Sequence, residues 1–599
     1  MRPNGIDDSG REEGVVKRTS LVALVLLANA AAASRPYRGG AVATAHAEAS
    51  ETALAILDRG GNAVDAAVAA AFVLAVVAPY HSGIGGGGFA LTFEAKSGEA
   101  RLHDFREVAP AAATREMFVR DGKVVPGLST DGALSVAVPG AARGYLELLE
   151  KGGTLSRRVV MAPAIRLAAE GFWVSPKYQQ LAAARLECLR RDPEASRIFL
   201  ASDGSGQRQV PAAGARIRQA ELARTLEHLA RTGASAFYEG AIARAIAETV
   251  QQNGGGLTLE DLRRYRTRQR VPLEGTYRGH RVLTTPPPSA GGLAILQVLA
   301  AMETLETEPA PYRDPDHLHR LVEAIRRVYA DRARYLGDPA FVDIPLARLA
   351  SREYAAELAR TIDPARATPS RSLLPNRDRA LAPGGSPEAT TGKNTTHISV
   401  VDAAGNAVAL TTTVNYGFGS CLVAKGTGIL LNDQMDDFSA QPMAPNAYGL
   451  VGGEANAIAP GKVPLSSMSP TLVFRREDPR QVMLVVGSPG GSTIPTTVLQ
   501  VIQNVIDYRM DLTRAVGAGR IHHQYLPDKL LVDRFGIEPE TRRALAAKGH
   551  QIEEVPGWGD AEAVWIDPAT GLRYSASDPR NEGTALGQDS APRGRTGRR

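Results

Sequence analysis

At 599 residues, with 44% apolar and 22% charged side chains and 60 glycines, the chain has the composition of a globular α/β protein rich in tight turns. Its net charge of +5 is small for that length, and the only dense basic run is the tail Pro592–Arg599, read as solvated and disordered. The sequence has no basic stripe and no groove-reading element, which excludes nucleic acid as an expected partner.

The N-terminal residues read as an export signal. Lys17 and Arg18 precede the apolar run Leu21–Ala28, which passes into the small residues of Asn29–Ser34. The run is shorter than the roughly 20 apolar residues a bilayer span needs. Segment 1–33 is therefore expected to direct export to a periplasm or beyond, although Asp7, Asp8, Glu12 and Glu13 give it an unusually acidic n-region. Ala47–Leu57 reads as a helix ended by Gly60-Gly61, and Ala63–Val77 as a second helix of small residues. Gly83–Gly88 then leads into a strand over Phe89–Phe93, a turn at Lys96-Ser-Gly-Glu99 and a return strand ending near Arg106. This glycine run matches GxGxxG, but a helix precedes it and a strand follows, the reverse of a dinucleotide site; close backbone packing is the expectation.

Helical periodicity dominates from Ala141 to Tyr265 and from Ala294 to Ile362, and Asp363–Lys393 is a Pro-, Ser-, Gly- and Arg-rich connector. Then comes the clearest hairpin in the chain: a strand over His397–Val401, a turn at Asp402–Asn406 and a strand over Ala407–Asn415. A loop centred on Ala404-Gly405 sets Thr413 opposite Thr396, with Thr395 and Thr413 one residue out of register. Alternation places Thr413 and Asn415 on one face. Farther on, the strand Gln481–Val486, the turn Gly487-Ser-Pro-Gly-Gly-Ser492 and the helix from Ile494 point unpaired backbone N–H groups at one spot. That turn lacks the GK[ST] of a phosphate loop, so an oxyanion hole from the Gly490 and Gly491 amides fits better.

Cys188 and Cys421 stand far apart, neither in a CxxC, and are expected to be two separate thiols. HExxH is absent and the histidines show no ligand spacing, so neither a metal nor any other cofactor is expected. No GxSxG elbow occurs either. A threonine serves as a nucleophile when an α-amine stands beside it as base, because that amine has a reference pKa of about 8. The chemistry requires a threonine at a new N-terminus, and an exposed connector ending at Thr395 has the layout to supply one. On texture alone a plain linker entering a hairpin explains the same residues.

Longer motifs separate these alternatives. Thr395–Asp402, Thr413-Val-Asn415, Leu431–Ser439, Pro464–Thr471 and Gly487–Gly491 resemble the small-subunit half of γ-glutamyltransferases (γ-glutamyltranspeptidases). Gly61–Ala67, Ser82–Phe89 and Asp104–Glu107 extend the likeness into the N-terminal half, so that it covers about residues 38 to 580. The resemblance implies a four-layer αββα N-terminal-nucleophile hydrolase fold. It also implies a precursor that cuts itself between Asn394 and Thr395 into a large chain, 34–394, and a small chain, 395–599, that remain a heterodimer.

The same resemblance assigns roles. Thr395 is the implied nucleophile, Thr413 its hydrogen-bonding neighbour, and Gly490 and Gly491 the oxyanion donors. Arg106 with Ser466 and Ser467 would take the α-carboxylate of a γ-glutamyl group, and Asp437 with Asn415 and Gln434 its α-ammonium. Singly, Arg106 reads as a surface ion-pair residue and Asp437 as an ordinary turn acid. Pro442–Gly453, centred near Tyr448, resembles a bacterial lid loop. The implied substrates are glutathione and other γ-glutamyl compounds, with water, amino acids or peptides as acceptors. Rival readings are a glutaryl β-lactam acylase or poly-γ-glutamate transpeptidase of the same fold, or a non-catalytic secreted amino-acid-binding protein. The Asn394-Thr-Thr sequon coincides with the cut and is not read as a glycosylation site.

Overall fold

Why the 395–415 hairpin lies at the centre of the molecule follows from its composition, which leaves neither face suited to water. In the computed structural model, which describes residues 35–204, 206–373, 394–534 and 536–590, its strands are Thr396–Val401 and Ala407–Thr413, and every residue of both is buried. Ile398, Val400, Val408 and Leu410 point into a helix-lined core, whereas Val401, Ala407 and Ala409 point into a second core. The expected export signal and basic tail lie outside the described residues, as do residues 374–393 of the connector.

In chain order the principal strands are β1 (Ala41–Thr44), β2 (Gly87–Glu94), β3 (Glu99–Phe105), β4 (Arg268–Arg270), β5 (Leu273–Tyr277), β6 (His280–Thr284) and β7 (Thr396–Val401). They continue with β8 (Ala407–Thr413), β9 (Thr471–Phe474), β10 (Val482–Gly487), β11 (Glu562–Ile566), β12 (Arg573–Ser577) and β13 (Thr584–Gly587). One sheet runs β4-β3-β2-β8-β7-β1-β13 and the other β5-β6-β9-β10-β11-β12, with antiparallel neighbours throughout. The sheets face each other across the core that holds Phe89, Leu91, Ala409, Leu484, Val486 and Val564. The helices Ala47–Asp58, Ala63–Val77 and Ala141–Gly152 cover the outer face of the first sheet, and Gly291–Leu305 and Ile494–Ile506 cover the second. The layers are αββα, as the resemblance implies.

Ala63–Val77 shows how the outer layer is specified. Alanines and branched residues surround it on all sides, so it is buried almost throughout. Asn62 accepts from the Val64 and Asp65 amides, and the Asp65 carboxylate accepts from the Asn62 amide, closing a capping box. The expected close packing at Gly83–Gly88 is present: a Cβ on Gly86 would lie 1.9 Å from the Thr413 carbonyl oxygen, and one on Gly88 2.3 Å from that of Thr411.

Two expectations are corrected. The hairpin pairs Thr396 with Thr412, one residue away from the expected register. The cause is Asp402: its amide donates to the Asn406 carbonyl and its carboxylate accepts from the Ala404 and Asn406 amides, so the loop centres on Ala404. Continued outward, this register sets Thr413 directly opposite Thr395. The strand also ends at Thr413: Asn415 adopts φ 78°, so the chain turns before it. Second, Cys188 and Cys421 are joined in a disulfide, with Cα atoms 5.8 Å apart. Their distance along the chain hid the pair, and only the docking of the Leu186–Arg191 helix against the turn after Asn415 brings them together.

Candidate active site

Thr395 sits where the first sheet meets the glycine turn of the second, and it is 4% exposed. Its backbone has φ 84°, a left-handed conformation that a β-branched residue adopts only under strain. The register places Thr395 and Thr413 side by side, and their hydroxyl oxygens are 2.9 Å apart. The Asn415 amide donates to the Thr413 hydroxyl at 2.9 Å, and the Asn415 side-chain amide donates to the Asp433 carbonyl at 3.1 Å.

The turn after β10 supplies the opposite wall. Gly490 adopts φ 137° and donates its amide to the Asn394 carbonyl oxygen at 3.2 Å. Gly491, at φ 54°, lies against the Tyr448 ring so closely that a Cβ there would stand 2.4 Å from it. Neither position tolerates a side chain, one because of its backbone angle and the other also because of the ring. Beneath them, the His397 ring fills the space a Cβ on Gly487 would take. Its Nδ1 lies 2.8 Å from the Thr411 hydroxyl and its Nε2 3.1 Å from that of Ser399. Burial pushes the His397 pKa down to about 3, so the imidazole is neutral.

Arg106 and Asp437, expected at opposite ends of a ligand, are paired with each other. Arg106 is fully buried; its Nη2 donates to Asp437 at 2.9 Å and to the Pro464 carbonyl at 3.2 Å. Gln434 donates to the same Asp437 oxygen at 2.6 Å. Burial raises the Asp437 pKa and the Arg106 charge opposes that rise. Arg106 is therefore no surface ion-pair residue. Sequence reasoning missed Glu107, which is also fully buried, lies 3.2 Å from Arg106 Nη1, and has its pKa raised by burial to about 7. Its place beside Arg106 in the Asp104–Glu107 motif was the available signal; its burial was invisible.

Arg106, Thr395, Thr413, Asn415, Gln434, Asp437, Tyr448, Ser466, Ser467 and Gly491 all line one cavity, to which Met468 and Ile494 add apolar wall. Its volume is about 20 Å3, room for roughly one water and far too little for an amino acid. Several buried polar atoms at this spot find no partner, among them Arg106 Nε, Glu107 Oε1, Gln434 Oε1 and Asn394 Oδ1. The Ser466 hydroxyl accepts from the Met468 amide at 3.1 Å. Over the cavity, the Tyr448 hydroxyl donates to the Asn415 carbonyl at 2.9 Å, the Ala447 amide to Asp436 at 3.0 Å and Gln524 to the Tyr448 carbonyl at 3.1 Å. The loop 442–453 is thus latched shut. Among the described residues, no group of three or more His, Cys, Asp or Glu is placed to hold a metal ion.

Comparisons with known proteins identify the family. The gamma-glutamyltranspeptidase family model matches residues 49–588. The chain is 43% identical to the glutathione hydrolase proenzyme of Escherichia coli (strain K12), over 90% of each chain. Among solved structures, it is similar to the cephalosporin acylase from Bacillus halodurans at 27% identity and a TM-score of 0.79, covering 98% of this chain and 99% of that one. It is also similar to the gamma-glutamyltranspeptidase of Helicobacter pylori at 38% identity and a TM-score of 0.53, covering 57% of this chain and 96% of that one. A match that spans nine-tenths of the chain, together with an αββα sandwich, places this protein in the gamma-glutamyltranspeptidase family.

Proposed function

We propose that the protein is a self-processing γ-glutamyltransferase with glutathione hydrolase activity. The observation that carries this reading is a single cavity holding both the Thr395 hydroxyl and the oppositely charged pair Arg106 and Asp437. A γ-glutamyl group carries an α-carboxylate and an α-ammonium, so it can replace each partner of that ion pair with its own charge. The unpartnered Arg106 Nε and Gln434 Oε1 belong to residues that line the cavity and supply further contacts for it. A glutaryl group lacks the ammonium and would leave Asp437 buried and unpaired, a large cost.

In maturation the Thr395 hydroxyl oxygen attacks the Asn394 carbonyl carbon. The Gly490 amide already donates to that carbonyl's oxygen, where negative charge develops, and the strained Thr395 backbone favours leaving the ground state. The peptide nitrogen leaves as the Thr395 α-amine, giving an ester between Asn394 and Thr395 Oγ1. Water then hydrolyses the ester, releasing the Asn394 carboxylate and restoring the hydroxyl. In turnover the free α-amine takes the hydroxyl proton as Oγ1 attacks the γ-glutamyl amide carbon; the amide C–N bond then breaks, and the α-ammonium returns that proton to the departing amine. The resulting acyl-enzyme passes its group to water or to the amine of an amino acid or peptide. Before the cut, Asn394 and the latched loop keep the pocket shut, so maturation must also open it. The large and small chains then form the heterodimer.

Export to an oxidising compartment is part of the proposal, supported by the leader and by the Cys188–Cys421 bond, a linkage rare in reducing cytosol. A second reading, a glutaryl-type acylase, is favoured by the whole-chain likeness to the Bacillus halodurans acylase. Comparing turnover of γ-glutamyl and glutaryl anilides by purified enzyme decides between them: preference for the γ-glutamyl compound is expected, and preference for glutaryl overturns the proposal. N-terminal sequencing must show a chain beginning at Thr395; an intact chain alone refutes maturation.

A further inference from the structure

We propose that the Cys188–Cys421 disulfide is the covalent link between the large and small chains of the mature enzyme, an inference that rests on the Asn394–Thr395 cut proposed above. Cys188 lies in the Leu186–Arg191 helix, before the cut, and Cys421 lies after it. Once the peptide bond breaks, the path through sulfur joins the two products. The bond is shielded, with Cys188 7% and Cys421 2% exposed, so solvent reductants reach it poorly.

Its position gives it a mechanical role. Residues 416–421 form the turn that leaves Asn415, and Gly417 packs near the Asn394 side chain. Arg185, one helical turn before Cys188, donates to the Gly417 carbonyl at 3.0 Å and to the Gly419 carbonyl at 3.0 Å, pairs with Asp131 at 2.8 Å and stacks on the Tyr416 ring. A large-chain arginine and a large-chain cysteine therefore grip the small-chain turn behind the cavity. The arginine contacts hold the turn only while the two chains stay paired. A covalent link makes rebinding intramolecular, with an effective concentration that dilution does not change.

Formation needs an oxidant, taken here to be a disulfide donor such as oxidised glutathione or an oxidised thiol–disulfide exchange protein. One cysteine thiolate attacks the donor disulfide and releases a donor thiol. The second attacks the mixed disulfide and releases the other, so two thiols are oxidised and one donor disulfide is reduced.

The test is a tryptic digest of purified, alkylated, unreduced enzyme read by mass spectrometry. The peptide Leu186–Arg190 holds Cys188, and the peptide ending at Lys425 holds Cys421 and begins just after Lys393 in an uncut chain. The expected ion joins Leu186–Arg190 to a peptide that begins at Thr395. Two separately alkylated peptides overturn the link while leaving maturation intact. A linked peptide that begins at Asn394 overturns it by removing the second chain, and shows that the maturation reading is what failed. As an independent readout, gel filtration in denaturant should give one species at the precursor mass without dithiothreitol and two with it. Cys188→Ser with Cys421→Ser should give two in both; a single species from that double variant also refutes the proposal.

Discussion

The Gly490 amide donates to the carbonyl oxygen of Asn394, the group whose carbon lies next in sequence to the Thr395 hydroxyl. One donor therefore serves the precursor's own peptide bond, and the same donor would serve the acyl-enzyme afterwards. On the proposed mechanism, processing and turnover share one constellation, so a substitution in it should injure both.

Thr395→Ala should leave a single chain on reducing gels and reduce γ-glutamyl anilide hydrolysis to background. Loss of a nucleophile in comparable acyl-transfer sites costs on the order of 10⁶-fold in kcat. Thr395→Ser keeps the hydroxyl and should retain both activities. Processing that survives in the alanine variant would refute the assignment.

Thr413→Val keeps the shape of the side chain but removes the hydroxyl 2.9 Å from Thr395 Oγ1. Both the processing half-time and kcat should worsen, by about 10–100-fold for a lost hydrogen bond that orients a nucleophile. Thr413→Ser should recover most of each. Time courses on gels and steady-state kinetics read the two rates separately; a slowed processing step with unchanged kcat would contradict the shared constellation.

Asp437→Asn removes the charge proposed to meet the α-ammonium while preserving a hydrogen-bonding side chain of the same size. The ratio of kcat/KM for γ-glutamyl over glutaryl anilide should fall by about 10–100-fold, mostly through loss of the γ-glutamyl reaction. Arg106→Lys should raise KM for both substrates by about tenfold or more, because an ammonium cannot make the guanidinium's forked contact. If the ratio stays unchanged in the asparagine variant, Asp437 does not read the ammonium.

Glu107 carries a pH signature. Its pKa is raised from an ordinary 4.5 to about 7 by burial, so the folded state holds this proton more tightly than the unfolded chain does. The sign follows: its contribution is most favourable below about pH 4.5 and is lost as pH rises to about 7. In a Thr395→Ala background, which stays one chain, Glu107→Gln should abolish that term. The stability difference between the two proteins should change by roughly 2–3 kcal/mol between about pH 5 and pH 8, in favour of the glutamine variant at the higher pH. Urea midpoints at the two pH values provide the measurement, and parallel midpoints would show that Glu107 ionises normally.

The positions of the site residues along the chain were legible because their local signals are short-ranged. Alternation and the Asp402–Asn406 turn announced the hairpin, and the strand–glycine–helix order announced the turn of Gly490 and Gly491. Ala63–Val77 was legible to the residue, since small and apolar side chains on every face leave a helix nowhere to lie except inside.

The sequence by itself singled out the residues that line one cavity: a threonine that opens a buried strand, a glycine turn, one arginine and one aspartate in family-like motifs. Tertiary structure decided their partners. The hairpin register moved by one because the Asp402 side chain, rather than strand propensity, closes the loop. Cys188 met Cys421 because a helix docks on a turn far along the chain. Arg106 turned from a solvated cation into a buried one paired with Asp437, and Glu107 acquired its raised pKa, because the two sheets and the 442–453 loop exclude water there. Local preferences act over a few residues, whereas desolvation and non-local pairing exist only once the layers have stacked.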